Sequence, residues 1–400
     1  MGSVRTRKRG KSWEWSFEGA PIDGKRKTIQ KGGYRTKAEA LTAGTKAKAE
    51  YDTGGQAFVP STISVADYMN YWLDTHVKAT MEYTTYTNYK NYLKNHIIPA
   101  FGHYRLSSLK PENVQIWVHS LRDRGLARSS IKNLLGCLSG ALQHAILPCG
   151  YINSNPCNGV KIGKIKEPTQ QKEYREYVLP KEDFKRIIDR FDEHTNFFLP
   201  LQTGYNLGTR IGETYGIDLL NDIDFENHEI HINHQLVCEN GVWLYRNPKY
   251  DSVRVLKMPY EFEMIIKRAI EKRKEIIRKY GEYYIKTYVD NNMNIIQLPA
   301  SIKMTLKEVY PISVKENGEL LTPQSFKYCA RVIHYELGLP FFHYHCLRHT
   351  HGTILAENGA HPKTVMERLG HKNINTTFDR YVFNTDKMKE NAVALFESAI

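Results

Sequence analysis

Residues 343–383 read HYHCLRHTHGTILAENGAHPKTVMERLGHKNINTTFDRYVF. The stretch holds His345, Arg348, His371 and Tyr381. Arginine and histidine are what a site needs to grip a phosphate and to neutralise charge that builds on it. A tyrosine hydroxyl beside such a site can serve as a covalent nucleophile. The punctuation predicts helices: one from Leu347 to Asn358 stopped at Gly359, and a second over Pro362–Leu369, with proline near its start and Gly370 at its end. Thr376 with Asp379 is a capping box that puts Tyr381 in the second turn of a third, and Met388–Ala399 reads as a short amphipathic tail. A metal reading of His343, His345, His349 and His351 fails. Positions 345, 349 and 351 do not share a helical face, and there is no H-E-x-x-H and no cysteine pair.

The rest of the chain must supply further cations and a means of holding a polyanion. Its 400 residues predict two or three domains. A net charge of +13 favours nucleic acid as partner. No apolar run suits a membrane span or secretory signal. Six scattered cysteines without a C-x-x-C pair suit free thiols in a reducing cytoplasm.

Residues 1–60 carry 13 Lys or Arg against 6 Asp or Glu. Trp13, Trp15 and Phe17 alternate with polar residues, which is strand periodicity. Asp23-Gly24 signals a hairpin into the basic strand Lys25–Gln30, and Gly32-Gly33 is expected to break it. Thr36 with Glu39 opens a helix to about Tyr51. This is a small α+β domain whose basic ribbon, including Arg26 and Lys27, suits a DNA groove. Residues 61–160 read as all helix. Ser64 with Asp67 starts one. Thr84–Ile98 carries Tyr86, Tyr89, Tyr92, Lys90 and Lys94, with Pro99 and Gly102 expected to end it. Tyr86, Lys90 and Lys94 are candidate phosphate and sugar contacts. Glu112–Arg124 and Ser129–Ile146 follow. A basic linker, 161–177, leads to a third domain, 178–400.

In that domain Lys181–Phe191 is helical, and Gly208-Thr-Arg210-Ile-Gly-Glu213 opens or lies within a helix. Glu229–Val237 alternates, and Asn240-Gly241 is a type I′ turn signal into Val242–Arg246. Lys249 falls near the tip of a small antiparallel sheet, with Val253 and Val255 alternating beyond it. Phe262–Tyr280 is a charged amphipathic helix, 281–321 an insertion of weak signals, and Ser325–Leu337 a helix stopped at Gly338. The expected domain is mainly α with a small antiparallel sheet.

G-x-R-x-x-E at 208–213, a Lys at 249 with Arg five later, H-x-L-R-H-T at 345–350, and L-G-H followed by Tyr381 at the tenth residue together resemble the tyrosine recombinase (phage integrase) family, most like integrases of conjugative transposons. The helical domain resembles that family's core-binding domain, and the N-terminal piece its arm-binding domain. The resemblance implies DNA strand breakage and rejoining without a metal or other cofactor. Tyr381 would attack a backbone phosphate to give a 3′-phosphotyrosyl link. Arg210 and Arg348 would grip the non-bridging oxygens, Lys249 would protonate the leaving 5′-oxygen, His345 would take the tyrosine proton, and His371 would hydrogen-bond the phosphate. Glu213 would support these groups. Implied partners are double-stranded DNA at core-type and arm-type sites, a homotetramer on DNA, and an excisionase or host DNA-bending protein. The implied setting is the bacterial cytoplasm, on the nucleoid, with no membrane. A type IB topoisomerase and a DNA-binding regulator without catalysis are the rival readings.

Overall fold

A computed structural model describes residues 3–22, 25–54, 63–164, 177–372 and positions 390, 393, 394, 396 and 397. Two compact units form, Met1–Glu167 and Pro168–Ile400. The Thr376 capping box, Tyr381 and most of the predicted tail lie outside the described residues. Among the described residues no helix is long and apolar enough to cross a membrane.

The first unit begins with an antiparallel sheet, β1 (Arg5–Arg9), β2 (Ser12–Ile22) and β3 (Lys25–Tyr34), in that order. Trp15 and Phe17 are buried against Ala47 of helix α1 (Lys37–Gly54). Thr36 Oγ1 accepts from the Glu39 amide at 3.2 Å, as the capping residues predict. Gly32-Gly33 does not end β3. Trp13 pairs with Tyr34 and Trp15 with Lys31, so the glycines form a bulge that a left-handed Gly33 (φ 99°) permits. Ile22 pairs with Lys25 across the expected turn, whose two residues lie outside the described set, as do the side chains of Arg26 and Lys27.

The helical part follows. Ser64 caps α2 (Val65–Trp72), accepting from the Asp67 amide at 3.0 Å. A π-helical turn, Leu73–Val77, carries α2 into α3 (Lys78–Thr80). Next come α4 (Tyr83–Tyr92), a second π turn at Leu93–Ile97, and α5 (Ile98–Phe101), so Pro99 does not end the helix. The run from Tyr83 to Phe101 is helical throughout, so Pro99 lies inside it, directly after the π turn, and Gly102 ends it. α6 (Pro111–Asp123) and α7 (Arg128–Ile146) complete the core around Tyr68, Trp72, Trp117 and Leu138. Tyr86, Tyr89 and Tyr92 pack partly buried on this core, and Tyr89 stacks on Trp72 with ring centroids 5.6 Å apart. Lys90 and Lys94 are exposed, one turn apart.

The second unit contains α8 (Lys181–Arg190), α9 (Phe198–Leu207), the short α10 (Ile211–Tyr215), α11 (Tyr260–Tyr280), α12 (Phe326–Glu336), α13 (Tyr344–Glu357) and α14 (Pro362–Leu369). Its described residues form three small antiparallel sheets where one was expected. Residues 229–237 are not one strand. β5 (Glu229–Ile232) lies between β4 (Ile223–Asp224) and β8 (Arg254–Lys257), whereas β6 (Gln235–Glu239) pairs with β7 (Val242–Arg246). Asn240 and Gly241 both take positive φ, 51° and 83°, as a type I′ turn requires. The weak region 281–321 forms the third sheet, β9 (Ile285–Val289), β10 (Ile295–Pro299) and β11 (Lys307–Val309), with β9 in the middle. α13 starts at Tyr344, so His345 stands in its first turn rather than ahead of the helix.

Candidate active site

α9 ends at Gly208, whose left-handed backbone (φ 65°) turns the chain sharply. A Cβ there would come within 2.7 Å of Leu369 and 2.8 Å of the His351 ring, so only glycine lets this turn meet α13 and α14. Two residues on, Arg210 is the N-cap of α10. Glu213, at the third helical position, accepts from the Arg210 amide at 3.0 Å through Oε2. The same carboxylate takes Arg210 Nη1 on Oε1 at 2.5 Å and Arg254 Nη2 on Oε2 at 2.8 Å. Glu213 thus caps a helix and anchors two guanidiniums. Its side chain is fully buried. Burial alone would push its carboxyl up, but Arg254, then Arg210 and Arg348, hold it down at about 2.

The arginines meet at the C-terminus of α14. The carbonyls of Arg368, Leu369 and Gly370 accept in turn from Arg254 Nε (2.9 Å), Arg348 Nη2 (2.5 Å) and Arg210 Nη2 (3.0 Å). Carbonyls at a helix C-terminus lack partners within the helix and carry the negative end of its dipole, so cations suit them. Arg348 also donates through Nη1 to Gly208 O at 2.8 Å. Three guanidiniums therefore surround one carboxylate, next to His371, in a largely desolvated setting. The two predicted gripping arginines are not equally open: Arg210 keeps 24% of its side-chain exposure, while Arg348 is 1% exposed.

Behind this cluster His351 donates from Nδ1 to Tyr205 O at 2.9 Å and accepts on Nε2 from Arg368 Nε at 3.0 Å. Burial, reinforced by Arg368, pulls its imidazole down to about 4, so it is neutral at pH 7. Tyr344 Oη meets Thr214 Oγ1 at 2.5 Å, tying α13 to α10.

Lys249 is exposed and lies on a 3₁₀ turn, Lys249–Asp251, between β7 and β8. This turn joins two different sheets and is not the tip of a hairpin. The Lys249 ammonium sits 5.1 Å from the Tyr250 ring centroid. The turn is linked to the arginines through Ser252, whose Oγ donates to Lys249 O at 3.0 Å and lies 3.5 Å from Arg210 Nη1. His345 is exposed one turn before Arg348, its ring 6.5 Å from that of His343. Of the predicted residues, the fold brings Arg210, Glu213, Arg348 and the backbone at His371 into one cluster, with the Lys249 turn at its edge. Tyr381 lies outside the described residues. Sequence reasoning named Arg254 only as the arginine five after Lys249, without a role, and did not single out Ser252 or Arg368. No group of three or more His, Cys, Asp or Glu among the described residues is arranged to hold a metal.

The family model described as "Phage integrase family" matches residues 177–388. "Phage integrase, N-terminal SAM-like domain" matches 64–122, and "Arm DNA-binding domain" matches 3–51. The chain is 27% identical over 345 residues to a "Tyrosine recombinase XerC-like" protein of Caldanaerobacter subterraneus, covering 83% of this chain and 82% of that one. It is 24% identical over 303 residues to the ICEBs1 integrase of Bacillus subtilis, covering 74% and 73%. It is 26% identical over 289 residues to the transposase from transposon Tn916 of Enterococcus faecalis, covering 70% of this chain and 64% of that one. In fold it is similar to the Tn1549 transposon integrase solved in complex with transposon right end DNA, with a TM-score of 0.64 at 21% identity, covering 83% of this chain and 99% of that one.

Proposed function

The chain belongs to the phage integrase family and is a tyrosine recombinase, an enzyme of site-specific recombination in mobile elements, and from that premise we propose how its own residues cut and rejoin double-stranded DNA. The phenol oxygen of Tyr381 bonds to a backbone phosphorus. The P–O5′ bond breaks, and its electron pair stays on the 5′-oxygen. That oxygen takes a proton from Lys249, and the tyrosine proton passes to His345. The product is a 3′-phosphotyrosyl link and a free 5′-hydroxyl. A 5′-hydroxyl of a partner duplex then reverses the step, so no outside energy source is required.

The observation that carries this reading is the excess of positive charge at the end of α14. Three guanidiniums gather there around one carboxylate, which takes hydrogen bonds from Arg210 and Arg254, and positive charge in a desolvated site is costly until an anion balances it. A phosphate is that anion. Arg210, the more open arginine, would bind a non-bridging oxygen directly. Arg348 would act from beneath, fixing the backbone that presents His371 and adding its field. The match of an arm DNA-binding family model at 3–51 favours recombination over simple relaxation. It also suggests a second DNA contact through the N-terminal sheet, alongside core-type binding through Lys90 of α4 and Lys94 of the π turn that follows it. Assembly into a tetramer on DNA, with an excisionase or host DNA-bending protein as accessory, belongs to the same reading.

The test is covalent trapping on a nicked duplex that loses its 5′-fragment on cleavage. Wild type should become linked to the DNA 3′-end and Tyr381→Phe should not. A link of normal yield in Tyr381→Phe would refute the assigned nucleophile.

A further inference from the structure

β8 turns Arg254 and Leu256 inward and Val255 and Lys257 outward. Its flanking valines, Val253 and Val255, are 53% and 49% exposed, while Arg254 points inward with an 8% exposed side chain. An arginine on that buried face is costly unless its charge is met where it reaches.

Arg254 joins three segments. Its Nη2 donates to Glu213 Oε2 at 2.8 Å, its Nε to Arg368 O at 2.9 Å, and its Nη1 to Ser252 O at 3.1 Å. The fit at Gly370 is close. A Cβ there would lie 2.9 Å from Arg254 Nη1 and 3.2 Å from Ser252 Cβ. The turn just before β8 does not hold its shape cheaply. Tyr250 and Asp251 both take positive φ, 65° and 51°, a region that residues with a Cβ rarely occupy. Such a conformation persists where its surroundings over-determine it. Here those surroundings are the Ser252 hydroxyl on Lys249 O and the Arg254 guanidinium on Ser252 O.

We propose that Arg254, with Ser252, is a positioning residue for leaving-group protonation: it pins the Lys249 turn to the Glu213 carboxylate and to the C-terminus of α14, so that the ammonium meets the departing 5′-oxygen above a phosphate held by Arg210. This inference rests on the reading of Lys249 as the proton donor. Arg254 does not touch the DNA in this scheme. It acts through Lys249, and a misplacement of about 1 Å in such a group costs on the order of 10²-fold in rate.

The experiment compares two nicked duplexes in the full-length protein, one with the normal 5′-oxygen at the scissile phosphate and one with a bridging 5′-sulfur. When the P–S bond breaks, its electron pair leaves as a thiolate, which is stable near neutral pH and needs no proton donor. Arg254→Lys and Lys249→Met should each lower single-turnover cleavage of the oxygen duplex by about 10²-fold, and Ser252→Ala should lower it less. All three should return to near the wild-type rate on the sulfur duplex, whereas Arg210→Lys should stay slow on both. If Lys249→Met recovers but Arg254→Lys and Ser252→Ala do not, the positioning role is overturned, and Arg254 serves only the phosphate site or the fold. If Lys249→Met itself does not recover, the proton-donor reading falls and takes the inference with it. Should Arg254→Lys fail to fold, Ser252→Ala, which removes one hydroxyl, decides the matter alone.

Discussion

Glu213→Gln tests whether the arginine cluster is held by one buried charge. The carboxyl of Glu213 moves from its ordinary 4.5 to about 2 in the folded protein. At 1.36 kcal/mol per unit, that shift is worth roughly 3 kcal/mol. A second route gives a similar figure: breaking a buried ion pair by removing one partner costs about 3–5 kcal/mol. Glutamine keeps the shape and one acceptor, so most of the loss is the charge. The sign follows from a depressed folded-state pKa. The stabilisation is fully present above pH 4.5 and is lost as pH falls towards 2. Calorimetry should therefore show the transition of the second unit lowered in Glu213→Gln at pH 7, by about 3 kcal/mol. The gap between variant and wild type should begin to close below pH 4.5 and be about 1 kcal/mol smaller by pH 4. Covalent trapping should fall with it, because Arg210 and Arg254 lose their common anchor. A gap under about 1 kcal/mol at pH 7, or one that does not change down to pH 4, would show that Glu213 does not carry the cluster's counter-charge.

Three further expectations follow from other parts of the chain. His351 is held near 4 in the folded state against an ordinary 6.5. Stability should therefore fall as pH drops from 6.5 towards 4, by up to roughly 3 kcal/mol, and in His351→Gln that part of the pH slope should vanish in urea titrations at stepped pH. Lys90→Ala with Lys94→Ala should weaken core-site DNA binding in all sequences alike and reduce the slope of log affinity against log salt by about 2; an unchanged slope means that this face does not meet phosphate. Gly44 leaves no room in the N-terminal domain, since a Cβ would come within 2.6 Å of Val4 and 2.8 Å of Trp15. Gly44→Ala should destabilise that small domain by about 1–3 kcal/mol and abolish its own DNA binding, read by tryptophan fluorescence and gel shift, while cleavage of a core-site duplex persists.

The parts of the fold that could be read from the chain were those where a residue type has one physical use. Gly338, Gly359 and Gly370 all adopt positive φ at helix ends, Ser64 caps where it should, and Asn240-Gly241 turns as expected. The errors came from signals with two uses. Gly32-Gly33 was read as a stop and is a bulge. Pro99 was read as a terminator but lies inside a helical run that ends only at Gly102. Residues 229–237 alternate without a break, yet they serve two sheets, because nothing in a period of two says where one partner strand gives way to another. At the site, Arg210, Glu213 and Arg348 were legible as chemistry. What joins them was not, because the acceptors are main-chain carbonyls of residues 368–370, and a carbonyl has no letter in the sequence. Arg254 was visible only as the fifth residue after Lys249, and its role was hidden: Val253 and Val255 suggested the inward face, whereas the strand turns Arg254 and Leu256 inward.

The account depends most on Tyr381, which its ten-residue offset from His371 selects among 26 tyrosines. The direct measurement is to trap wild type on the nicked duplex, digest the adduct with nuclease and trypsin, and find the modified peptide by mass spectrometry. The account predicts a nucleotide on residues 381–387, YVFNTDK, attached at Tyr381 through a 3′-phosphate. An adduct on any other peptide, or one joined through a 5′-phosphate, contradicts it.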